Sequence, residues 1–396
     1  MNTNYPIIRI KKGKENAVKR RHPWIFTGAI GSKDSINDGD LVKVVSDDGE
    51  FLAIGHYSDG PSIAVRIISF DEIEIEQEFW NNRLAEAYIL RQAILKNLPE
   101  TNVYRLVHGE GDGLPGLIID IYNQTAVVQF HSIGVWKERE KIKSALINLL
   151  GKDLKTIYNK SESTMPNAYK SEIINEFWMG ADTNGIVSEY GLKFLVDWEE
   201  GQKTGFFIDQ RENRRLVQQY SDGRKVCNMF GYTGGFSVYA MAGNAKSVDT
   251  VDISKSAVEK STQNVNLNFP NISSHRAIVA DGFDFLDDCS NNSYDLIILD
   301  PPAFAKHYNT LENALKGYRR LNQMALEKIS PDGILFTFSC SQAVSVQEFR
   351  KTIFVAAARA GRKVRILHQL SQPADHPINI FHPEGEYLKG LVLHVI

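Results

Sequence analysis

Two neighbouring strand ends in the sequence carry side chains that together could do chemistry on a nucleobase. The apolar stretch Tyr294–Leu299 leads into Asp300-Pro301-Pro302-Ala303-Phe304, which combines a carboxylate, two prolines and an aromatic ring. Both prolines lack an N–H and fix φ, so this turn cannot lie inside a helix. Such a turn suits a planar base, held at its edge by hydrogen bonds and on its face by stacking. Cys340 stands 40 residues after Asp300, at the end of the next predicted strand.

The thiol of Cys340 is the candidate nucleophile. Cysteine is among the most buried residue types, so a single strand cysteine ordinarily indicates core packing. The setting Ser339-Cys340-Ser341 at a strand end, opposite Asp300, favours catalysis instead. Cys227 lies inside a predicted strand and is assigned to the core, and Cys289 lies on a polar loop with no evident partner.

A glycine-rich turn and two further acids indicate a cofactor site at the same sheet edge. The turn follows the first strand of the second half of the chain and consists of Phe230, Gly231, Tyr232, Thr233, Gly234 and Gly235. Asp252 lies 21 residues beyond Gly231, where nucleotide-binding folds place an acid on the ribose hydroxyls. Asp281-Gly282 ends the third strand, where an acid can accept from an adenine amino group.

The acids taken together indicate a cofactor site more specifically than any one of them does alone. Each acid alone could cap a helix, but the glycine turn, Asp252, Asp281 and Asp300 end four successive strands. Ile253, Ser254 and Gly282 complete the expected cofactor contacts. The glycine spacing departs from G-x-G-x-x-G, and basic residues for a pyrophosphate are missing nearby. An adenosine cofactor without phosphates, S-adenosylmethionine, therefore fits better than a dinucleotide.

Alternating strands and helices over residues 186–396 predict a Rossmann-like α/β fold, with a mostly parallel sheet covered on both faces. Strands are expected at Lys225–Phe230, Ser247–Asp252, Ser274–Val279, Tyr294–Leu299, Gly333–Cys340, Lys363–Leu370 and Tyr387–Ile396. Helices are expected near Gly235–Met241, Lys255–Asn268, Gly282–Asp287, Thr310–Ile329 and Ser345–Ala360. The last two strands follow each other without a helix, so they should form an antiparallel hairpin at one edge. Such a hairpin is typical of methyltransferase sheets.

Residues 1–70 predict a small β-barrel with a local basic surface. Its strands are expected at Ile7–Ile10, Leu41–Val45, Phe51–Tyr57 and Ser62–Ile68. The formal net charge of −3 does not indicate nucleic-acid binding by the whole chain, so a basic cluster here stands out. We assign to RNA contact Lys11, Lys12, Lys14, Lys19, Arg20 and Arg21. The aromatic residues that follow, Trp24 and Phe26, are expected in the barrel core.

Residues 71–185 predict a central α+β segment. A helical pattern from Trp80 to Leu98 precedes strands at Val103–His108, Leu117–Tyr122, Ala126–His131 and Leu154–Tyr158, with a helix near Trp136–Leu150. Gly109–Gly116 reads as a hairpin turn, since no Lys-Ser/Thr pair follows it. Residues 160–183 are expected to form an exposed connection. The oligomeric state stays open, although sheet edges here could pair two copies into a homodimer.

The length of the chain and its cysteine content limit the class of protein. A chain of 396 residues predicts two or three domains. Three cysteines without even spacing argue against disulfides or a zinc site and for a reducing compartment. No apolar run reaches the length of a membrane span, and a secretory leader is not recognisable. We expect a cytoplasmic protein with no metal and no membrane partner.

These motifs resemble class I S-adenosylmethionine-dependent methyltransferases, and more narrowly the bacterial and archaeal family of large-subunit ribosomal RNA cytosine-5 methyltransferases. His22–Phe26 is similar to the start of that family's N-terminal PUA domain, an RNA-binding β-barrel, and Gly111–Leu117 to the hairpin of its central domain. Gly201–Arg211 resembles the segment that leads into its catalytic domain, which implies that Phe206 and Gln210 approach the cofactor. The resemblance implies domains 1–70, 71–185 and 186–396.

The resemblance also implies a reaction: methylation of cytosine carbon 5 through a covalent adduct with Cys340. Asp300 would hold the N3/N4 edge of the base, and Phe304 would stack on it or shape its pocket. Two positions depart from related enzymes. Asn228 stands where many methyltransferases carry an acid, and Ala303 stands where many RNA cytosine-5 enzymes have a second cysteine. The group that removes the carbon-5 proton and assists release is therefore unidentified.

Two other classes of function remain open. Methylation of an exocyclic amine on adenine or guanine also uses an Asp-Pro-Pro-aromatic motif, and it needs no thiol. A non-catalytic RNA-binding factor of ribosome assembly would use the barrel and keep the cofactor for structure alone. A small-molecule substrate is disfavoured because a separate basic barrel would have no purpose.

Overall fold

The computed structural model describes residues 5–60, 62–182, 184–304 and 310–396, and these form two compact units. Unit 1 contains the described residues up to Tyr190, together with Val196–Ile208 and Ala374–Gly385. Unit 2 contains Gly191–Leu195, Asp209–Pro373 and Glu386–Ile396. The segments 1–70 and 71–185, expected as separate domains, thus fall in one compact unit. The three domain boundaries themselves stay a prediction.

The N-terminal part of unit 1 is a mixed sheet. Its strands are β1 Ile7–Ile10, β2 Trp24–Phe26, β3 Ile30–Lys33, β4 Leu41–Val45, β5 Phe51–Tyr57 and β6 Ile63–Ser69, with a short helix α1 Asn16–Lys19. The strand order is β2-β6-β5-β4-β1-β3, and β1 pairs parallel with β4. Alternating side chains such as Ile8, Ile10, Val42 and Val44 are fully buried and form its core. The short strands β2 and β3 were not predicted.

The second part of unit 1 packs helices on another sheet. Its elements are α2 Gln77–Leu95, β7 Val103–His108, β8 Leu117–Tyr122, β9 Thr125–Phe130, α3 Ile133–Lys137, α4 Arg139–Leu150, β10 Thr156–Asn159 and β11 Glu176–Met179. The strand order is β11-β10-β9-β8-β7. Antiparallel pairing of β7 with β8 confirms the hairpin reading of the glycine-rich turn between them.

The expectation that residues 160–183 form an exposed connection is wrong. Strand β11 pairs antiparallel with β10, and Met165 and Ile173 are 2% and 3% exposed within the core of unit 1. Their burial was hidden because single apolar side chains lie among many polar neighbours, which leaves no periodic pattern to detect.

Buried ion pairs join distant segments of unit 1. Arg105 contacts Asp120 through two hydrogen bonds of 2.8 Å, and Thr204 donates to the same carboxylate at 2.6 Å. Arg91 donates to Asp112 Oδ2 at 2.7 Å and to the carbonyl of Asp375 at 2.9 Å. These contacts explain why residues 196–208 and 374–385 belong to unit 1 although they lie far along the chain.

Unit 2 is built on a mostly parallel sheet. Two paired strands, β12 Asn184–Glu189 and β13 Leu192–Asp197, come before it in the chain. The elements of the sheet and its helices are α5 Arg211–Tyr220, β14 Lys225–Met229, α6 Gly235–Ala242, β15 Ser247–Asp252, α7 Lys255–Asn268, β16 His275–Val279, α8 Gly282–Asp288, β17 Tyr294–Leu299, α9 Leu311–Lys328, β18 Ile329–Ser339, α10 Val346–Arg359, β19 Val364–Leu370 and β20 Lys389–Val395. The strand order is β16-β15-β14-β17-β18-β20-β19. Strand β20 runs antiparallel to both β18 and β19, which confirms the predicted mixed edge.

Local signals explain several of these helices. Ser254 accepts a hydrogen bond from Ala257 N and caps α7, and Ser345 with Glu348 forms a capping box at α10. The apolar face of α9, including Leu321 and Ala325, packs on the sheet as its 3.6-residue period predicts. Strand β18 begins at Ile329 rather than at the expected Gly333, because the chain pairs with β17 directly after α9 ends.

Neither a membrane-spanning helix nor a metal-binding cluster occurs in the described ranges. None of the helices there is both long and apolar enough to cross a bilayer. The same residues contain no cluster of three or more His, Cys, Asp or Glu with the geometry of a metal site.

Burial of His56 in unit 1 predicts acid sensitivity. Its side chain on β5 is 1% exposed, and burial lowers its pKa to about 3. Below pH 6.5 the unfolded chain binds a proton that the folded chain does not, so stability falls as pH falls. We expect unit 1 to lose about 1.5 kcal/mol of unfolding free energy between pH 6.5 and pH 5 through this residue.

Fluorescence-detected unfolding in guanidinium measures this loss, because all five tryptophans lie in unit 1: Trp24, Trp80, Trp136, Trp178 and Trp198. The variant His56→Gln keeps a neutral polar side chain and should flatten the pH dependence. An equal pH slope in the variant and the natural protein would contradict the assignment.

Candidate active site

The glycine-rich turn after β14 is held tightly against the sheet. Gly231 N donates to Val251 O at 3.0 Å, and a side chain at Gly231 would lie 2.5 Å from Thr250 Cγ2. Gly234 has φ +78°, and a Cβ there would lie 2.8 Å from Ser261 Cβ. Glycine is therefore required at both positions, because a larger residue would push the turn away from the strand ends.

Asp252 ties this turn to the end of β15. One carboxylate oxygen accepts from Tyr232 N and the other from Ser254 N, both at 2.9 Å. Asp252 is half-buried, and Ile253 beside it is 71% exposed. A half-buried acid next to an exposed apolar side chain offers an acceptor for ribose hydroxyls and a surface for a flat base.

Asp281 and Gly282 lie at the end of β16, beside the turn. Asp281 Oδ1 accepts from Phe283 N at 2.8 Å and caps α8, so the helix-cap reading holds for this acid. A Cβ at Gly282 would lie 2.7 Å from Phe230 Cζ, so the structure brings Phe230 and Gly282 into contact. The cap uses Oδ1 of a carboxylate that is exposed to solvent.

Asp300, directly after β17, is oriented by two buried amides of unit 2. Gln210 Nε2 donates to Asp300 Oδ2 at 3.0 Å, and Asn213 Nδ2 donates to Gln210 Oε1 at 2.6 Å. Gln210 and Asn213 are each 3% exposed. Gln210 thus contacts a strand-end residue, and its approach to the cofactor stays a prediction. Phe206 belongs to unit 1, where it is buried, and its approach to a cofactor stays a prediction.

Cys340, Asp300 and Phe304 come together around Tyr318 of α9. Burial raises the pKa of Tyr318 to about 12, and the negative charges of Cys340 and Asp300 contribute to that shift. The ring centroids of Tyr318 and Phe304 are 4.6 Å apart. Sequence reasoning missed Tyr318 because its place in the apolar period of α9 predicts only core packing. A hydroxyl is unusual on such an apolar face, and this was the one feature of the sequence that could have pointed to Tyr318.

The other two thiols differ in setting. Cys227 is fully buried within β14, as predicted, and burial raises its pKa far above the ordinary value. Cys289 is half-buried and packs at the margin of the same core, although it was assigned to a polar loop. Burial raises its pKa as well.

The six predicted RNA-contacting side chains of unit 1 are all exposed: Lys11, Lys12, Lys14, Lys19, Arg20 and Arg21. The expectation that Phe26 fills the barrel core is wrong, since 46% of it is exposed. Trp24 is only half-buried, and its Nε1 donates to Glu110 at 2.9 Å. Alternation along β2 places Ile25, 2% exposed, in the core and turns both aromatic neighbours outward.

The carboxyl edge of the sheet fits an adenosine-type cofactor. The acid Asp252, the exposed Ile253 and the backbone of the glycine turn supply the donor set and the apolar contact that ribose and adenine require. Asp300 and Cys340 follow the neighbouring strands β17 and β18, where a second reactant would meet such a cofactor.

Two sequence families match the chain. One, described as S-adenosylmethionine-dependent methyltransferase, matches residues 105–386, and the other, described as PUA-like domain, matches residues 8–70. The fold is therefore a PUA-like N-terminal domain joined to a class I methyltransferase fold, and the cofactor is S-adenosylmethionine.

Relatives extend over nearly the whole chain. A protein of Aeromonas salmonicida named ribosomal RNA large subunit methyltransferase I is 40% identical and covers 98% of each chain. The protein of the same name from Klebsiella pneumoniae is 36% identical over 99% of each chain. A crystal structure of a methyltransferase named SMU.776, complexed with SAH, has the same fold, with a TM-score of 0.85, 23% identity, and coverage of 98% of this chain and 99% of the other. This chain accordingly belongs to the S-adenosylmethionine-dependent methyltransferase family that includes the Aeromonas and Klebsiella proteins.

Proposed function

We propose that this protein methylates carbon 5 of a cytosine in large-subunit ribosomal RNA and that Cys340 is the nucleophile. The observation that carries the proposal is the placement of Cys340 and Asp300 after two paired parallel strands, with both charges acting on the buried Tyr318. The name of the two relatives supports ribosomal RNA as the substrate class. Such a substrate agrees with a cytoplasmic location.

A thiol beside the bound base would activate carbon 5 of cytosine for methylation. Carbon 5 of cytosine is a poor nucleophile until a thiolate adds to carbon 6. The Cys340 sulfur forms that bond and moves an electron pair onto carbon 5. When bound, S-adenosylmethionine supplies the electrophilic methyl group that this carbon requires. A base then removes the carbon-5 proton, the carbon 5–carbon 6 double bond forms again, and the carbon–sulfur bond breaks with its electron pair returning to Cys340.

Asp300 orients the base in this proposal. Its Oδ2 accepts from the Gln210 amide, which orients the carboxylate that would accept from the N4 amine or a protonated N3. Phe304 packs on Tyr318 and forms an aromatic wall for the base. Both roles depend on side chains whose orientation is fixed by buried neighbours in unit 2.

The cofactor contacts are proposed at the turn and at the strand ends. Asp252 accepts from the ribose hydroxyls, Ile253 packs on adenine, and Asp281 accepts from the adenine amine. The remaining proposed contacts are Phe206, Gln210, Phe230, Gly231, Tyr232, Thr233, Gly234, Gly235, Ser254, Gly282 and Asp300. The homodimer considered from sheet edges stays a prediction.

Replacing Asp252 tests the cofactor site. In Asp252→Asn an amide replaces one of two acceptor oxygens, so S-adenosylhomocysteine should bind about 10- to 100-fold more weakly by calorimetry. Asp295→Asn is the matched control, because the carboxylate of Asp295 also accepts a backbone N–H, from Lys225 at 2.9 Å. Asp295 lies at the other end of the parallel strands, away from the candidate cofactor site. Equal affinities in the two variants would refute the role of Asp252.

Replacing Cys340 tests the nucleophile. Cys340→Ala should lose methyl transfer to ribosomal RNA from cells that lack this protein, yet bind S-adenosylhomocysteine as before. RNA containing 5-fluorocytosine should form a covalent complex with the natural protein and with Cys289→Ala, but not with Cys340→Ala. Nucleoside mass spectrometry identifies the product. Retained transfer by Cys340→Ala, with a methylated adenine or guanine amine, would establish the alternative amine methylation.

Reversing the basic cluster tests RNA binding. The triple variant of Lys11, Lys12 and Lys14 to Glu should weaken RNA binding and reduce the slope of log affinity against log salt by roughly 2. A matched triple uses the exposed lysines Lys96, Lys152 and Lys155 of the same unit. If both triples changed the salt slope equally, the cluster would have no special role.

A further inference from the structure

Lys389 is a buried charge beside the candidate nucleophile. It opens β20, whose other residues are mainly apolar, and only 3% of it is exposed. Burying an ammonium group is costly unless a negative group lies close by. The position therefore requires a partner of opposite charge.

The contacts of Lys389 point to the chain segment that carries Cys340. Its Nζ donates to the carbonyl of Ser341 at 2.7 Å. Lys389 also pairs with Ser339 across the antiparallel strands β18 and β20, so the two side chains lie on the same face of the sheet. Lys389 thus contacts the residue after Cys340 through its ammonium group and pairs with the residue before Cys340 through its backbone.

The negative charge of a Cys340 thiolate and that of Glu386 would each raise the pKa of Lys389, and the thiolate has the larger effect. Glu386 is exposed, so solvent screens its charge. A neutral carbonyl at Ser341 satisfies one N–H but supplies no net charge. The thiolate form of Cys340 is the group that best offsets the charge of Lys389.

We propose that Lys389 is the counter-ion that holds Cys340 as a thiolate and returns it to that state after each turnover. The inference rests on the proposed function, in which Cys340 attacks the base. The thiol proton passes to water, while Lys389 keeps its own proton throughout. When the carbon–sulfur bond breaks, the electron pair returns to a sulfur that already faces an ammonium group.

The other charges near Cys340 make such a counter-ion necessary. Asp300 is an anion at the same sheet edge and disfavours a second negative charge there. Tyr318 is neutral at pH 7, since burial raises its pKa to about 12. Burial lowers the pKa of Lys389 to about 8, and the charges of Cys340 and Glu386 oppose that shift, so the side chain remains cationic at neutral pH.

The test measures the ionisation of Cys340 directly, without RNA. The full-length protein is alkylated with iodoacetamide from pH 5 to pH 10, and peptide mass spectrometry follows each cysteine. In the natural protein the rate at Cys340 should report a pKa below the 8.5 of a free thiol. Lys389→Met should raise that pKa by at least one unit and slow alkylation at pH 7 about 10-fold. Lys389→Arg should stay close to the natural protein.

The chain offers a matched control in a second lysine–cysteine pair. Lys328 Nζ donates to the carbonyl of Cys289 at 2.6 Å, and its charge acts on that thiol. Lys328→Met should therefore alter alkylation at Cys289 and leave Cys340 unchanged. Binding of S-adenosylhomocysteine confirms that each variant is folded.

A pKa for Cys340 at or above 8.5 in the natural protein would overturn the inference, and so would an unchanged value in Lys389→Met. The first of these measurements needs no variant, so the inference can be refuted even if Lys389→Met fails to fold. The pH profile of methyl transfer should also move to higher pH in Lys389→Met. Methyl transfer by Cys340→Ala would refute the proposed nucleophile while leaving the alkylation results unaffected, so the two failures are distinguishable.

Discussion

Parallel pairing of β17 with β18 is the constraint on which the site depends. Leu299 pairs with Thr337, so Asp300 follows one partner directly and Cys340 stands three residues beyond the other. Helix α9, which connects the two strands, places Tyr318 where the charges of Asp300 and Cys340 both reach it. A change of register would turn one of these side chains to the opposite face and separate the acid from the thiol.

Unit 1 depends on a different kind of constraint, a set of buried polar contacts. Asp120 accepts from Arg105 and from Thr204, and Asp375 accepts from the backbone of Arg105. Buried ion pairs add little net stability compared with apolar packing, but breaking one leaves an uncompensated charge. We infer that their main effect is to select one arrangement of segments that lie up to 284 residues apart.

Much of unit 2 could be predicted because each local signal agreed with the fold. The bounds of α7 match the prediction, since Ser254 caps a clear helical pattern, and the succession of strands and helices along the chain followed from their alternation in the sequence. The family resemblance implied that Gln210 approaches the cofactor, but its contact with Asp300, 90 residues along the chain, was not predicted. Phe26 was assigned to the core on residue type alone, whereas the two-residue period of β2 turns it outward. For a single apolar residue, the residue type predicts only a preference for burial, and the pairing of its strand in the folded protein decides whether it is buried.

The two candidate catalytic groups receive different partners, and the difference has a chemical reason. Asp300 accepts from the neutral amide of Gln210, which orients one carboxylate oxygen without neutralising the charge of the group. In the proposed mechanism the ammonium of Lys389 lies beside Cys340 and would favour the charged form of a group that is ordinarily neutral at pH 7. Under the proposal, a neutral amide beside Cys340 would not offset the charge of the nearby acid, whereas an ammonium group does. The arrangement therefore gives orientation to the acid and charge compensation to the thiol.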